Sequence, residues 1–380
     1  MSRNFQYQKD GQYFAQVSGG LEEASGDELR KAGCKIISDE FRGLIFQCDV
    51  EKVFQLNYTA RTISRILAPI ASFQVKNADD LYRKAIEIPW EVLIYSGKNF
   101  ALSVQGKSDV IDNSRFALYR VKDAITDRSV NTGMDRPMVA RSNPDILVNI
   151  YLEKRSVTLS IDTSGESLHK RGYKKATGRA PLAETLAAGI IDYSQWDGEM
   201  DLLDPMCGTG TLLTEALMKA ANVPAGYFRK SWGFFGMPEF QREKFENWKT
   251  GLNKGIREVS SVITGSDIDP EALNAARKNT ELIPGGEDLR FRLVDFRKRK
   301  QFTDGVLVTN PPYGERIEDS NLVELYRDFG DFLKHNCAAS NAYLFTCNLP
   351  LLKKVGLRTS FRKPLWNGQL EGRLCRYEIY

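Results

Sequence analysis

Along the first half of the chain, short apolar runs are separated by stretches of helical spacing, and their order carries the first information. Residues 14–19 read as a strand, 21–33 as a helix, 34–41 and 43–49 as strands, 50–63 as a helix and 65–73 as a strand. That β-α-β-β-α-β order predicts a small ferredoxin-like unit over residues 1–70. Gly26 weakens the first helix, because glycine costs about 1 kcal/mol against alanine in a helix interior. From residue 75 the pattern becomes a helix over 78–88, a strand over 99–106 and a long amphipathic helix over 114–131. Val148, Ile150 and Leu152 then alternate with polar neighbours, as do Val157, Leu159 and Ile161, which predicts a hairpin turning at Lys154 and Arg155. A second α+β module therefore spans residues 71–165.

A polar stretch follows, residues 166–180, with Lys170, Arg171, Lys174, Lys175 and Arg179 against the single acid Glu166. Pro181 then opens a helix, in the first-turn position that proline favours. Residues 181–380 alternate strands and helices, with strands over 201–207, 261–268, 289–296, 305–312 and 341–348. Continuous apolar strands between helices predict a parallel sheet covered on both faces, so the fold class is an α/β Rossmann-like domain preceded by two α+β units.

Composition narrows the chemistry. The 380 residues, 42% hydrophobic and 27% charged, exclude disordered and collagen-like classes. No apolar run reaches the roughly 18 residues of a membrane span, and the first residues lack a signal-peptide pattern, so the expected location is the cytoplasm. Six cysteines without a CxxC pair and only two histidines, His169 and His335, leave no zinc or metallohydrolase spacing, so no metal is expected. The net charge of +4 is too small to argue for nucleic acid, and the placement of the basic residues must decide.

The strongest signal is Asp204-Pro205-Met206-Cys207-Gly208-Thr209-Gly210-Thr211, between the first strand of the parallel sheet and a helix. Glycines admit a ligand close to the backbone, and the helix start offers free N–H groups to an anionic part of it. A dinucleotide fingerprint needs glycine where Leu213 stands, and a P-loop needs Gly-Lys-Ser/Thr, so both are disfavoured. The second strand ends at Asp267-Ile268, placed to grip a ribose diol, and the third at Asp295-Phe296, where a carboxylate can accept from an adenine amine beside the ring. Each acid alone is more often a helix cap; three at successive strand ends point to a ligand.

The fourth strand runs into Asn310-Pro311-Pro312-Tyr313. Two prolines remove N–H donors and stiffen the chain, which leaves carbonyls free to accept hydrogen bonds. The Asn310 amide oxygen adds an acceptor, and an exocyclic base amine held between such acceptors turns its lone pair toward a methyl donor. Tyr313 is placed to stack on an extruded base.

These four motifs together resemble the class I methyltransferases that use S-adenosylmethionine on exocyclic amines. With residues 164–188 added, the whole chain resembles a narrower family: THUMP-domain RNA methyltransferases with a ferredoxin-like amino-terminal unit, in particular the bacterial enzymes acting on guanine N2 of 23S rRNA. The resemblance implies that residues 71–165 are the THUMP RNA-binding domain. It further implies that Asp204, Gly208 and Gly210, with Met206, Cys207 and Thr209 in the same loop, surround the methionine part of the cofactor. Glu184 flanks that end, Asp267 and Ile268 meet the ribose, and Asp295 and Phe296 meet the adenine. Cys207 is expected to be a packed, unreactive thiol.

Three basic clusters flank this pocket: residues 170–179, then Arg290, Arg292 and residues 297–300, then Arg358, Arg362, Lys363, Arg373 and Arg376. Any one is normally solvated surface; three suggest a phosphate track, extended by Lys154 and Arg155. Residues 227–240 interleave aromatics with Arg229 and Lys230, mostly as lid or core packing, with a minority for base stacking. Open alternatives are a tRNA guanine-N2 enzyme, an adenine-N6 methyltransferase, and a non-catalytic RNA-binding assembly factor with a vestigial cofactor fold. Substrate form, free rRNA or an assembling large-subunit particle, and oligomeric state are not legible.

Overall fold

A computed structural model describes residues 4–95, 97–176, 182–312 and 320–380. Pro181, Arg179 and Tyr313 lie outside these described residues, and nothing structural attaches to them here. Among the described residues two seven-stranded sheets form, one in the front half and one in the catalytic half.

The front half opens with a short helix that the periodicity did not predict, α1 (Gln6–Asp10), then β1 (Gln12–Val17), α2 (Glu22–Lys31), β2 (Lys35–Glu40), β3 (Gly43–Gln47), α3 (Val50–Thr59) and β4 (Ile63–Gln74). Gly26 does not break α2; it lies buried within it. The second module adds α4 (Ala78–Ala85), β5 (Phe100–Ser108), α5 (Ser114–Asn131), β6 (Ile146–Lys154) and β7 (Ser156–Asp162). The strand order β2-β3-β1-β4-β7-β6-β5 carries one sheet through both modules. β4 is the bridge, pairing with β1 on one side and from Leu67↔Asp162 to Gln74↔Ser156 on the other. Its Pro69 lacks a ladder donor and sits where the register shifts, the place a central strand tolerates proline.

The catalytic half contains α6 (Glu184–Tyr193), β8 (Leu202–Asp204), α7 (Thr211–Ala220), α8 (Arg242–Asn253), β9 (Ile263–Asp267), α9 (Pro270–Thr280), β10 (Arg290–Leu293), β11 (Val306–Thr309), α10 (Ser320–Asn336), β12 (Ser340–Thr346), β13 (Phe361–Asn367) and β14 (Leu370–Ile379). The order is β10-β9-β8-β11-β12-β14-β13. The first five strands are parallel; β14 runs antiparallel to both β12 and β13. Chain order reverses between β8 and β11, so a crevice is expected outside the carboxyl ends of the strands there. The closing hairpin was not among the expected strands, although its two-residue loop, Gly368-Gln369 between the paired Asn367 and Leu370, carries glycine first, at φ +63°.

Residues 223–248 tie the halves together. Phe234 stacks on Phe54 of α3 at 4.9 Å, and Tyr58 meets Trp232, Phe245 and Trp248 at 5.9–6.3 Å. Gly233 and Gly236 lie so close to the carbonyls of Asp162 and Asp145 that an added Cβ would stand 2.0–2.1 Å from them. These aromatics are thus mainly interdomain core. Among the described residues no helix is long and apolar enough to cross a membrane.

Candidate functional site

Four expected residues stand at the carboxyl ends of four adjacent strands: Asp295 after β10, Asp267 on β9, Asp204 on β8 and Asn310 after β11. Parallel pairing aligns them on one edge, with Asp204 opposite Gly265 and Leu293 opposite Asp267. β8 and β11, behind Asp204 and Asn310, are apolar and buried, so polar groups collect where these strands run out.

The loop between β8 and α7 is shaped by two left-handed glycines, Gly208 at φ +52° and Gly210 at φ +77°. Gly210 caps α7 and packs against Ala276, whereas among the described residues nothing lies within 4 Å of where a Gly208 Cβ would stand. Gly208 therefore lines open space. Asp267 holds the loop backbone: its Oδ2 accepts the Gly208 N–H at 2.8 Å, and its Oδ1 accepts from Asp269 at 3.0 Å. The neighbouring Ile268 is 68% exposed, an apolar surface left uncovered at the end of a central strand.

Asp204 is 2% exposed. Its Oδ1 accepts the Thr309 hydroxyl at 2.7 Å and the Met206 N–H at 3.2 Å. Burial pushes its carboxyl up to about 7, against those hydrogen bonds. Thr309 was not singled out from the sequence; being the last residue of β11, it couples Asp204 to Asn310. The Asn310 Oδ1 is buried and accepts no hydrogen bond among the described residues, an orphaned acceptor that native structures seldom leave unused. Pro311 is buried and Pro312 exposed. Cys207 is buried, which drives its thiol well above the usual range and agrees with a packed role.

Asp295 is gripped by Arg297, whose Nε and Nη2 meet its carboxylate at 2.7–3.0 Å, and which also reaches Asp328. That hydrogen-bonded cation holds the Asp295 carboxyl below its ordinary value. The expectation for the Phe296 ring needs correction: it is 3% exposed and packs edge-on against Phe329 and Phe332, because the adjoining core takes the aromatic inward.

The basic segment is corrected more strongly. Arg171 is 1% exposed and donates to the carbonyls of Ala60, Arg61 and Leu168 and to Glu215. Glu215 on α7 is fully buried and also takes Arg61 and Tyr173. Arg171 is therefore an interdomain tie and offers no charge to a surface. Arg229 is likewise consumed, donating to the carbonyls of Ser164, Glu166, Ser167 and Lys170. Lys174 reaches Glu184 at 3.2 Å and the Leu182 carbonyl at 3.0 Å. Glu184 is nearly buried, and burial raises its carboxyl. Lys170 and Lys175 stay on the surface, paired with Glu166 and Glu281, and Lys154 and Arg155 are exposed at the β6–β7 turn. In the last cluster, Lys363 bonds Glu23 and Arg376 bonds Asn341, so both serve the fold.

Asn279 on α9 had no sequence signal at all. Buried, it accepts the N–H groups of Lys175 and Ala176 and donates to the carbonyls of Ala176 and Thr209, all at 2.8–3.2 Å. One amide thereby fastens the basic segment to the glycine loop.

Family models match three consecutive stretches: an RlmL ferredoxin-like domain over residues 12–67, a THUMP domain over 75–162 and an RMKL-like methyltransferase domain over 171–376. A Synechocystis protein named as a candidate RNA methyltransferase is 35% identical, covering 97% of each chain. The ribosomal RNA large subunit methyltransferase K/L of Vibrio campbellii is 35% identical over 97% of this chain, which spans 53% of that longer relative. A crystal structure of SMU.472, a candidate methyltransferase complexed with SAH, is 25% identical with a TM-score of 0.87, covering all of this chain and 99% of that one. Glycine loop, strand-end acids and the Asn310-Pro311-Pro312 turn thus stand along one edge of the sheet, inside the stretch that the methyltransferase family model matches, and the chain belongs to the THUMP-bearing, RMKL-like methyltransferases.

Proposed function

We propose that this protein transfers a methyl group from S-adenosylmethionine to the exocyclic N2 of a guanine in large-subunit (23S) rRNA. The observation that carries the reading is the buried Asn310 Oδ1, without a partner among the described residues, at the edge shared with Asp204 and Asp267. Ribosomal RNA as target is drawn from the names of the K/L relatives, about half of whose length this chain spans.

The residues present fit the cofactor. Gly208 leaves a cradle that a Cβ would fill, Asp204 keeps Oδ2 clear of hydrogen bonds among the described residues, and Ile268 offers an apolar face. Gly208 and Gly210 with Asp204, Met206, Cys207, Thr209 and Glu184 would hold the methionine part, Asp267 and Ile268 the ribose side, and Asp295 the adenine. When bound, S-adenosylmethionine supplies an electrophilic methyl carbon.

The chain's own part is to hold the amine. Asn310 Oδ1 and a carbonyl freed by the proline pair accept the two N2 hydrogens, which takes the nitrogen lone pair out of conjugation with the ring. Thr309 and Asp204 fix the strand end from which Asn310 projects, so the amine is positioned before reaction, a placement worth several powers of ten in rate. Lys154, Arg155, Lys170 and Lys175 are the exposed cations for RNA phosphates.

Incubation with labelled methyl donor and undermethylated rRNA tests the reading, and the expected product is N2-methylguanosine. N6-methyladenosine would overturn it, and label confined to tRNA would move the activity to that substrate.

A further inference from the structure

A cleft of about 590 Å³ opens at the junction, between the basic segment, the start of α6 and the 223–248 insertion. Lys170, Lys174 and Lys230 stand around it with the half-buried ring of Phe228, and its carboxylates are Glu166 and Glu184. Each carboxylate is already engaged by a lysine, Glu166 by Lys170 at 3.0 Å and Glu184 by Lys174 at 3.2 Å. Among the described residues that leaves Lys230, which is exposed, and the nearly buried Arg229 guanidinium in the lining, whose four bonded partners are neutral carbonyls. The cleft is therefore net positive. His169 on its wall feels this: burial, then Arg171, Lys170 and Lys174, hold its imidazolium down to about 4.

An aromatic ring shares the wall with these cations. Gly172, at φ +93°, lies against Phe228, where any Cβ would stand 3.1–3.2 Å from Phe228 atoms, so the segment passes flush with that residue. A cationic rim beside an aromatic surface in a cleft matches a phosphate with its attached base, the combination by which proteins hold single-stranded nucleic acid. The segment that lines the cleft is also tied to the glycine loop. Lys174 is followed by Lys175 and Ala176, which Asn279 binds together with the Thr209 carbonyl.

We propose that this cleft is a nucleotide subsite, holding the phosphate and base of an unpaired RNA residue that flanks the methylated one, with Lys230 on the phosphate and Phe228 under the base. The inference rests on RNA being the substrate. Neither Phe228 nor Lys230 stood out from the sequence as more than part of an aromatic-rich stretch.

The experiment compares the full-length protein with Lys230→Ala, Lys230→Glu and Phe228→Ala. A fluorescent single-stranded oligoribonucleotide is the binding probe, undermethylated large-subunit rRNA the substrate, and SAH affinity by calorimetry the control. Lys230→Ala should lower the slope of log affinity against log salt by about 0.7, the value for one single-strand phosphate contact. Lys230→Glu and Phe228→Ala should each raise KM for rRNA about tenfold, with SAH affinity within about twofold of the parent. Lys230 is exposed, so its variants fold and keep the test decisive if Phe228→Ala does not. Variants with the parental KM and salt slope, on an rRNA that the parent methylates, overturn the cleft alone. A parent that binds and methylates no RNA overturns both the cleft and the reading beneath it.

Discussion

The strand-end edge and the 166–180 segment both carry the polar residues that suggest function, and the fold treats them in opposite ways. At the edge, among the described residues, Asn310 keeps a buried acceptor unbonded and Gly208 keeps an open face. At the junction, Arg171 spends its guanidinium on carbonyls and on Glu215, and Lys174 is drawn to Glu184. A charge run in sequence is thus not a charged surface. Domain junctions need ion pairs and carbonyl-satisfying arginines as much as RNA does, and the local sequence looks the same for both.

The contrast breaks first at Arg171. If it is an interdomain tie, Arg171→Ala strips Glu215 of one buried cation and should destabilise the protein by about 3–5 kcal/mol, measured by urea unfolding. Unchanged stability with weakened RNA binding would return Arg171 to the surface. At the edge the opposite result is expected. Asn310→Ala should lower single-turnover methylation by about 10²–10³-fold, as removal of a preorganised polar group does, while SAH affinity stays within about twofold. Equal loss of rate and cofactor affinity would contradict the amine-acceptor role.

The Asp204 carboxyl sharpens the comparison through pH. Its folded value, about 7, lies above the usual aspartate value near 3.9, so between these the folded state binds more protons than the unfolded one. Stability from this group is therefore full below about pH 4 and declines as pH rises toward 7. Asp204→Asn should remove that decline, so the Tm difference between variant and parent grows in the variant's favour across this window. A constant difference would mean that Asp204 is not buried as described. The smallest effect belongs to Gly208→Ala. A left-handed alanine should cost about 1 kcal/mol of stability, and the methyl entering the open cradle should weaken SAH binding by calorimetry. Tighter or equal SAH binding would exclude Gly208 from the ligand wall.

Much of the catalytic half was legible from periodicity and punctuation. β8, β9, β10 and β11 fall within the expected strands, and the loop with its two glycines lies where the residue pattern put it. Strand ends are local events, marked by an acid or an Asn-Pro directly after an apolar run, so Asp204, Asp267, Asp295 and Asn310 are visible one at a time. The last hairpin is equally local, its two-residue turn opening on Gly368, and it was not among the expected strands.

What the chain alone determined is therefore the set of elements, their order, and the polar residues that end each strand, because backbone preference and side-chain period act over a few residues. Only tertiary structure decided which charges remain available. Glu215 gathers Arg61, Arg171 and Tyr173 from segments far apart in sequence, Asn279 binds a loop 70 residues away, and Phe296 turns into the core. Burial of a polar group is settled by every neighbour that can pair with it, and those neighbours are assembled only when the sheets and helices pack.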